Sequence, residues 1–297
     1  MKNQICEWSK AIFSAHLHHF LPNIPWCNHD DLYEKFVGYH KPKKQPNIQI
    51  HDNANKEKIL NTAPSIFCLY HLGFHSETVL TLGKIGVNFD LLLDRDVYEL
   101  NKSVFIEIQT KLKSNGLEYK FLFSDDPKVL LKIRTTIKEC RHVLVFADGN
   151  SGASDNNNHL LKVQFFKGSL FVRQGITMIS HILGVCILPL TLENKDGKFL
   201  FNIGNEINPR LWNNRVEYIK EGMQLLYKYL EEQIVSAPWK WECWNYIHDN
   251  GSFNPGQINL KDDSIKAPIC IDNEAFVQVK FRDREVVFNR ESYMLFL

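Results

Sequence analysis

The sequence has no uninterrupted apolar run approaching the ~20 residues a membrane-spanning helix needs, so no spanning segment is expected. It has no excess of charge of either sign. Its 35 basic and 34 acidic residues leave a formal net charge of +1, so no global field draws it to nucleic acid or to an anionic bilayer. The seven cysteines (Cys6, Cys27, Cys68, Cys140, Cys186, Cys243 and Cys270) are odd in number, scattered and free of any C-x-x-C pair. That pattern argues against a disulfide framework or a zinc knuckle, and for reduced thiols in a cytoplasmic protein. Cys68 and Cys186 lie inside apolar runs and read as small core residues. A signal peptide is not expected either, because residues 1–10 are polar and the apolar stretch 11–21 is interrupted by His16, His18 and His19. Those imidazoles have no further ligands at usable spacing, so no metal is expected.

What is present is enough apolar material for a sizeable core: 44% of 297 residues, sufficient for one large domain or two small ones. Residues 11–21 carry Ile12, Phe13, Leu17, Phe20 and Leu21 at near-helical spacing, which predicts a helix packed on the main body or, alternatively, one lying on a membrane surface. Residues 38–58 are polar, contain two prolines and read as a linker.

Beyond it, short apolar runs alternate with helical patterns. Strands are expected at 65–70, 88–93, 117–123, 142–147, 162–166, 185–192 and 200–203, and helices at 76–82 (Ser76 as N-cap), 97–114, 126–140, 171–183 and 216–235. Such alternation implies an α/β fold with a mostly parallel central sheet flanked by helices. The loop after residue 148, through Asn158, is too Asn-rich for regular structure. The last residues suggest a hairpin, 276–281 with 285–288 around Arg282-Asp283, in a small β-rich C-terminal appendage. The expected division is 1–58 (helical segment and linker), 59–250 (catalytic body) and 251–297 (tail).

The segment His71-Leu72-Gly73-Phe74-His75-Ser76-Glu77 holds two imidazoles and a carboxylate directly after a predicted strand, where α/β folds place their sites. A carboxylate can fix an imidazole's tautomer and stabilise its cation while the other ring nitrogen takes a proton from an attacking hydroxyl or amine. The acceptor then attacks a thioester itself, and no nucleophilic side chain is needed.

From this point the chain resembles the late acyltransferases of lipid A biosynthesis, within the lysophospholipid acyltransferase superfamily. Their signature is a histidine followed five positions later by an acid, often H-[FL]-G-x-x-E, and His71-Leu72-Gly73 matches its opening. In order along residues 65–248, Arg95 in LLLDR matches an arginine after the second strand. VLVFADGNSG puts Asp148 on the aspartate of the family's P-D-Q, and KVQFFKGSLFVRQGI matches Phe165, Phe166, Gly168 and Gly175 to its F-F-G block. VCILPL and IVSAPWKWECWNYIH resemble the closing blocks. The chain departs from the pattern at the acid: Ser76 stands at the expected position and Glu77 one later. Either a one-residue insertion restores a His71–Glu77 pair, or Ser76 or His75 completes the site. The proline before Asp148 is Ala147, and the family's N-terminal membrane helix has no counterpart.

The resemblance implies a glycerol-phosphate/lysophospholipid acyltransferase-like fold and transfer of a fatty acyl chain from acyl carrier protein or acyl-CoA, the only cofactor-like species expected, to a glycolipid, peptide or secondary-metabolite acceptor. His71 would be the base and Glu77 its orienting acid. Arg95 would hold an anion, or else form a surface salt bridge. Asp148 would support the site, or else cap a turn. His75 stands as a third supporting residue. Phe165 and Phe166 would wall an acyl groove or be plain core, with Gly168 and Arg173 beside the substrate. The cluster Trp239, Trp241 and Trp244 would sit at a membrane interface or cap the core. A cytoplasmic enzyme, peripheral to the membrane at most and without nucleic-acid partners, is the expectation.

Overall fold

The computed structural model describes residues 5–41, 49–50, 54–114, 116, 119–149, 160–247, 274–281 and 283–296. The asparagine-rich loop after Gly149, most of residues 42–53, His248, the stretch through 273 and Arg282 of the expected hairpin turn lie outside the described residues. The chain divides into two compact units. One comprises Met1–Lys41, Gln164–Phe171 and Gln233–Leu297; the other comprises Pro42–Val163 and Val172–Glu232.

The first unit is built around helix α1 (Trp8–Phe20), followed by α2 (His29–His40). One side of α1 buries Ala11, Ile12 and Ala15 against Val279, Val286, Phe288 and Leu295. On another side Phe13 meets the rings of Tyr33 and Phe36 on α2. The helix is thus packed core, the expectation that placed it on the protein rather than on a membrane surface.

The second unit contributes β1 (Gln49–Ile50), α3 (Ala54–Leu60), β2 (Ile66–Leu69), α4 (His75–Lys84), β3 (Phe89–Leu93), α5 (Arg95–Leu100), α6 (Lys102–Ser114), β4 (Phe121–Phe123), α7 (Val129–Lys138) and β5 (His142–Phe146). Strands β6 (Leu160–Phe165) and β7 (Gly168–Arg173) pair as a two-stranded sheet and contribute residues to both units. Then come α8 (Gly175–Leu183), β8 (Ile187–Lys195), β9 (Lys198–Ile203) and α9 (Arg215–Ile234). The chain closes in the first unit with β10 (Phe276–Phe281), β11 (Arg284–Asn289) and β12 (Met294–Phe296), a three-stranded antiparallel sheet.

The central sheet has the order β1-β9-β8-β2-β5-β3-β4. Every neighbour pair from β8 to β4 is parallel, and β9 turns back antiparallel on β8. The inner strands are largely apolar because helices cover them; β2 is buried at all four positions. One apolar cluster joins Phe67, Leu69, Phe89, Leu91, Leu144 and Leu188 to Val79 and Leu82 of α4. No helix among the described residues is long and apolar enough to cross a membrane. This is the α/β architecture with a mostly parallel, helix-flanked sheet and a separate small antiparallel sheet that the sequence implies.

Several finer expectations change. The helix expected over 97–114 is broken at Asn101 into α5 and α6. The helix expected from 171 begins at Gly175, because residues 168–173 alternate between faces, with Leu170 and Val172 buried, and pair as β7. Ser76 is not a cap: α4 starts one residue earlier, Phe74 holds the cap position, and no side chain closes it. The expected linker 38–58 contains the end of α2, β1 and the start of α3. In the first unit the N- and C-terminal segments share one core, in contrast to the separate N-terminal segment and tail expected from composition.

Candidate active site

Strand β2 ends at Leu69, and the chain then reverses in two residues: the Leu72 N–H donates to the Tyr70 carbonyl at 2.9 Å, with His71 at the apex. Gly73 follows at φ 81°, a left-handed conformation that costs glycine little, and α4 begins at His75. This short turn aims the His71 ring across the carboxyl end of the sheet.

Beside it, β5 runs parallel to β2, with Ile66 facing Val143 and Leu69 facing Phe146. The Ala147 N–H continues the ladder to the Leu69 carbonyl at 2.9 Å, which brings Asp148 level with His71. Asp148 makes two contacts there. One carboxylate oxygen lies 2.8 Å from His71 Nδ1 and the other accepts the His71 backbone N–H at 3.0 Å. The Asp148 side chain is fully buried, whereas that of His71 retains 25% exposure. A carboxylate out of water is stable only if paired and hydrogen-bonded, and both of these contacts come from one residue. The imidazole is thereby held at Nδ1 while part of the ring faces outward.

The ring stacks on Phe146, centroids 4.5 Å apart, and lies 5.4 Å from the ring of His75. His75 also lines a small cleft between the ends of β2 and β8, together with Leu69, Tyr70, Leu72, Phe74 and Thr78. Two tyrosines tie α9 to this edge: Tyr70 Oη donates to the Leu226 carbonyl at 2.9 Å and Tyr227 Oη to the Ala147 carbonyl at 3.4 Å. Burial, with Asp148 adding its negative charge, pushes the Cys68 thiol far above its ordinary value. Burial likewise raises the Tyr70 phenol. Neither group is poised to ionise.

The carboxylate on the His71 ring is therefore Asp148. Glu77 sits in the first turn of α4, and the sequence expectation that it orients the base gives way to the strand-to-strand contact. Arg95 opens α5 behind Asp94, whose side chain caps the helix by accepting the Asp96 N–H. The Arg95 Nε donates to Asp125 at 2.8 Å, and its guanidinium lies 4.2 Å from the Phe123 ring centre, on the exposed surface. Asp125 is thus its partner in a surface salt bridge.

Other expected residues, Arg173 excepted, lie in the first unit. Phe165 is fully buried among Phe20, Phe166, Trp241 and Trp244, so it is core and offers no groove wall. Phe166 takes a positive φ of 48° at the β6–β7 turn. Gly168 is required by packing: a Cβ there would stand 2.7 Å from the Phe20 ring and 2.8 Å from that of His19. Arg173 ends β7. Trp241 and Trp244 are core, and the Trp244 Nε1 donates to the Pro238 carbonyl at 2.7 Å. His16 bonds the Trp244 carbonyl and His18 stacks on Trp26 at 4.0 Å, which are packing roles. Arg290 is buried, donating to Ser14 Oγ at 2.8 Å and lying over the Trp26 ring.

Phe146 is the residue that sequence reasoning missed at the site; its signal was its position at the end of β5, two residues before Asp148. No family model matches the chain, and no curated protein matches it.

Proposed function

We propose that the protein is an acyltransferase that moves a fatty acyl chain from acyl carrier protein or acyl-CoA to a hydroxyl or amine acceptor. His71 is the general base and Asp148 its positioning acid. The observation that carries this reading is the 2.8 Å contact between His71 Nδ1 and the buried Asp148 carboxylate at the carboxyl end of adjacent parallel strands. A base oriented in this way accepts the acceptor's proton at its other nitrogen as the acceptor attacks the thioester carbonyl, and the carboxylate stabilises the imidazolium that forms. The imidazolium then returns the proton to the departing thiolate. General-base help of this kind is worth about two to four powers of ten in rate.

The resemblance of the His71, Arg95, Asp148 and Phe165–Gly168 segments to the lipid A late acyltransferases supports the donor class and the acyltransferase-like form of the fold. A non-catalytic lipid or carrier-protein binding module is the competing reading, and the Asp148 carboxylate beside His71 favours the catalytic one. Hydrolysis by the same pair, with water in place of the acceptor, is separated by product. The test incubates purified protein with acyl-CoA and acyl-carrier thioesters and hydroxylamine as a surrogate acceptor, following thiol release and hydroxamate. Thiol and hydroxamate rising together, and lost in His71→Ala, supports transfer. Thiol with free acid alone supports hydrolysis, and no His71-dependent release contradicts both.

A further inference from the structure

The reaction proposed for His71 creates a negative charge on the thioester carbonyl oxygen, and a base alone does not stabilise it. Donors placed where that oxygen will sit commonly contribute more to rate than any other single device. The sequence identifies no such group, but the geometry of the second unit does.

His75 is the first residue of α4, four positions after His71, and the turn through Gly73 folds it back toward the base. The two ring centroids are 5.4 Å apart with planes inclined at 62°. Phe146 holds both: it stacks under His71 and meets His75 edge to face at 6.0 Å. His75 also lines the small cleft formed with Leu69, Tyr70, Leu72, Phe74 and Thr78. A reacting centre must lie about 3 Å from both the nucleophile and the oxyanion donor. Rings at this separation and tilt are in van der Waals contact, so a carbonyl group would lie against the edges of both rings rather than between them. A neutral imidazole carries one ring N–H that it can donate.

We infer that His75 is a second catalytic residue, whose ring N–H holds the carbonyl oxyanion while His71 handles the proton; this rests on the acyl-transfer reading above. In the step, the acceptor's electron pair forms the new bond to carbon, and its proton goes to His71. The carbonyl π pair moves onto oxygen, where the His75 N–H binds it. The pair then re-forms C=O, the C–S bond breaks, and the thiolate takes the proton from His71. His75 donates a hydrogen bond throughout and transfers no proton.

The experiment compares wild type, His71→Ala, His75→Ala and His75→Gln with octanoyl-CoA and hydroxylamine, measuring kcat, KM and thermal midpoint. Expected are a fall in kcat of about 100- to 1,000-fold in His75→Ala with KM little changed, and recovery of about tenfold or more in His75→Gln, whose amide N–H can replace the donor. The glutamine variant keeps the test open should the alanine variant not fold. Wild-type kcat in His75→Ala, or glutamine as impaired as alanine in a folded protein, overturns the inference and leaves the His71 reading standing. Wild type that releases no more thiol than His71→Ala overturns both.

Discussion

His71 and Asp148 are 77 residues apart, and 77 is also the register offset between the two strands that carry them: Ile66 faces Val143 and Leu69 faces Phe146. The dyad is therefore a property of β-sheet pairing rather than of a helical turn. The same row continues outward. Leu91 faces Leu144 across β3 and β5, Leu93 faces Phe123 across β3 and β4, and two residues beyond each strand end come Arg95 and Asp125, which also pair.

Replacing Asp148 by asparagine keeps the shape but removes the charge that steadies an imidazolium. Expected is a fall in kcat of about two to four powers of ten with KM little changed. The acid limb of the kcat–pH profile should move to lower pH, because the ring loses its anion. Glu77→Gln should leave kcat and that limb in place. If Glu77→Gln reproduces the Asp148→Asn profile, the acid has been misassigned.

The reason Asp148 was harder to read than His71 lies in distance along the chain. A strand ending in an imidazole is a local pattern, visible in SIFCLYH, and the strands of the central sheet announce themselves as apolar runs because both faces are covered. The partner of a group at a strand end is set by sheet order and register, and a motif that assigns the acid to the next helical turn points to Glu77. Similarly, Phe165 and Phe166 are apolar whether they wall a groove or fill a core; only the burial of Phe165 against Trp241 and Trp244 decides. The expected helix start at 171 failed where the alternation of Leu170 and Val172 outweighed the helical pattern that follows. A lone arginine such as Arg290 carries no sign in the sequence of the Ser14 and Trp26 side chains that bury it.

Acid should weaken the fold in a defined window. Burial pushes His142 from 6.5 down to about 4, and likewise His29. The His142 Nδ1 accepts the Ser65 N–H at 3.2 Å, while the His29 Nδ1 lies 2.7 Å from Ser14 Oγ. In the unfolded chain these rings take up protons as pH falls through 6.5, but in the folded chain not until about 4. Protonation therefore favours unfolding between those values, and the loss levels off below. Each ring contributes up to about 3 kcal/mol at the acid end. Urea midpoints should drop between pH 7 and pH 4.5, and less so in His142→Gln; equal midpoints at both pH values would contradict this.

Gly168→Ala should destabilise the first unit. Its Cβ would meet the Phe20 and His19 rings at 2.7 and 2.8 Å, and Phe20 is fully buried against Phe165 and Trp244, so it has little room to give. The cost expected of such overpacking is about 1–3 kcal/mol, read as a lowered thermal midpoint. An unchanged midpoint would show that the rings move aside.

Asp90 tests the opposite end of the sheet. Buried at the start of β3, it accepts from Thr136 Oγ1 at 2.6 Å and the Lys120 N–H at 2.8 Å, and it pairs with Arg141. Asp90→Ala removes the carboxylate facing Arg141 together with its bonds to Thr136 and Lys120, and a loss of about 3–5 kcal/mol is expected. Thiol-release kinetics of whatever folded protein remains should be close to wild type, since Asp90 lies at the edge remote from His71. A kinetic defect without a stability defect would contradict that assignment.

The most direct measurement is thiol release from octanoyl-CoA in the presence of hydroxylamine, wild type against His71→Ala, with matching circular dichroism to establish that both are folded. The account predicts hydroxamate formation by the wild type and a loss of at least about a hundredfold in the variant. Equal rates from two folded proteins would contradict it.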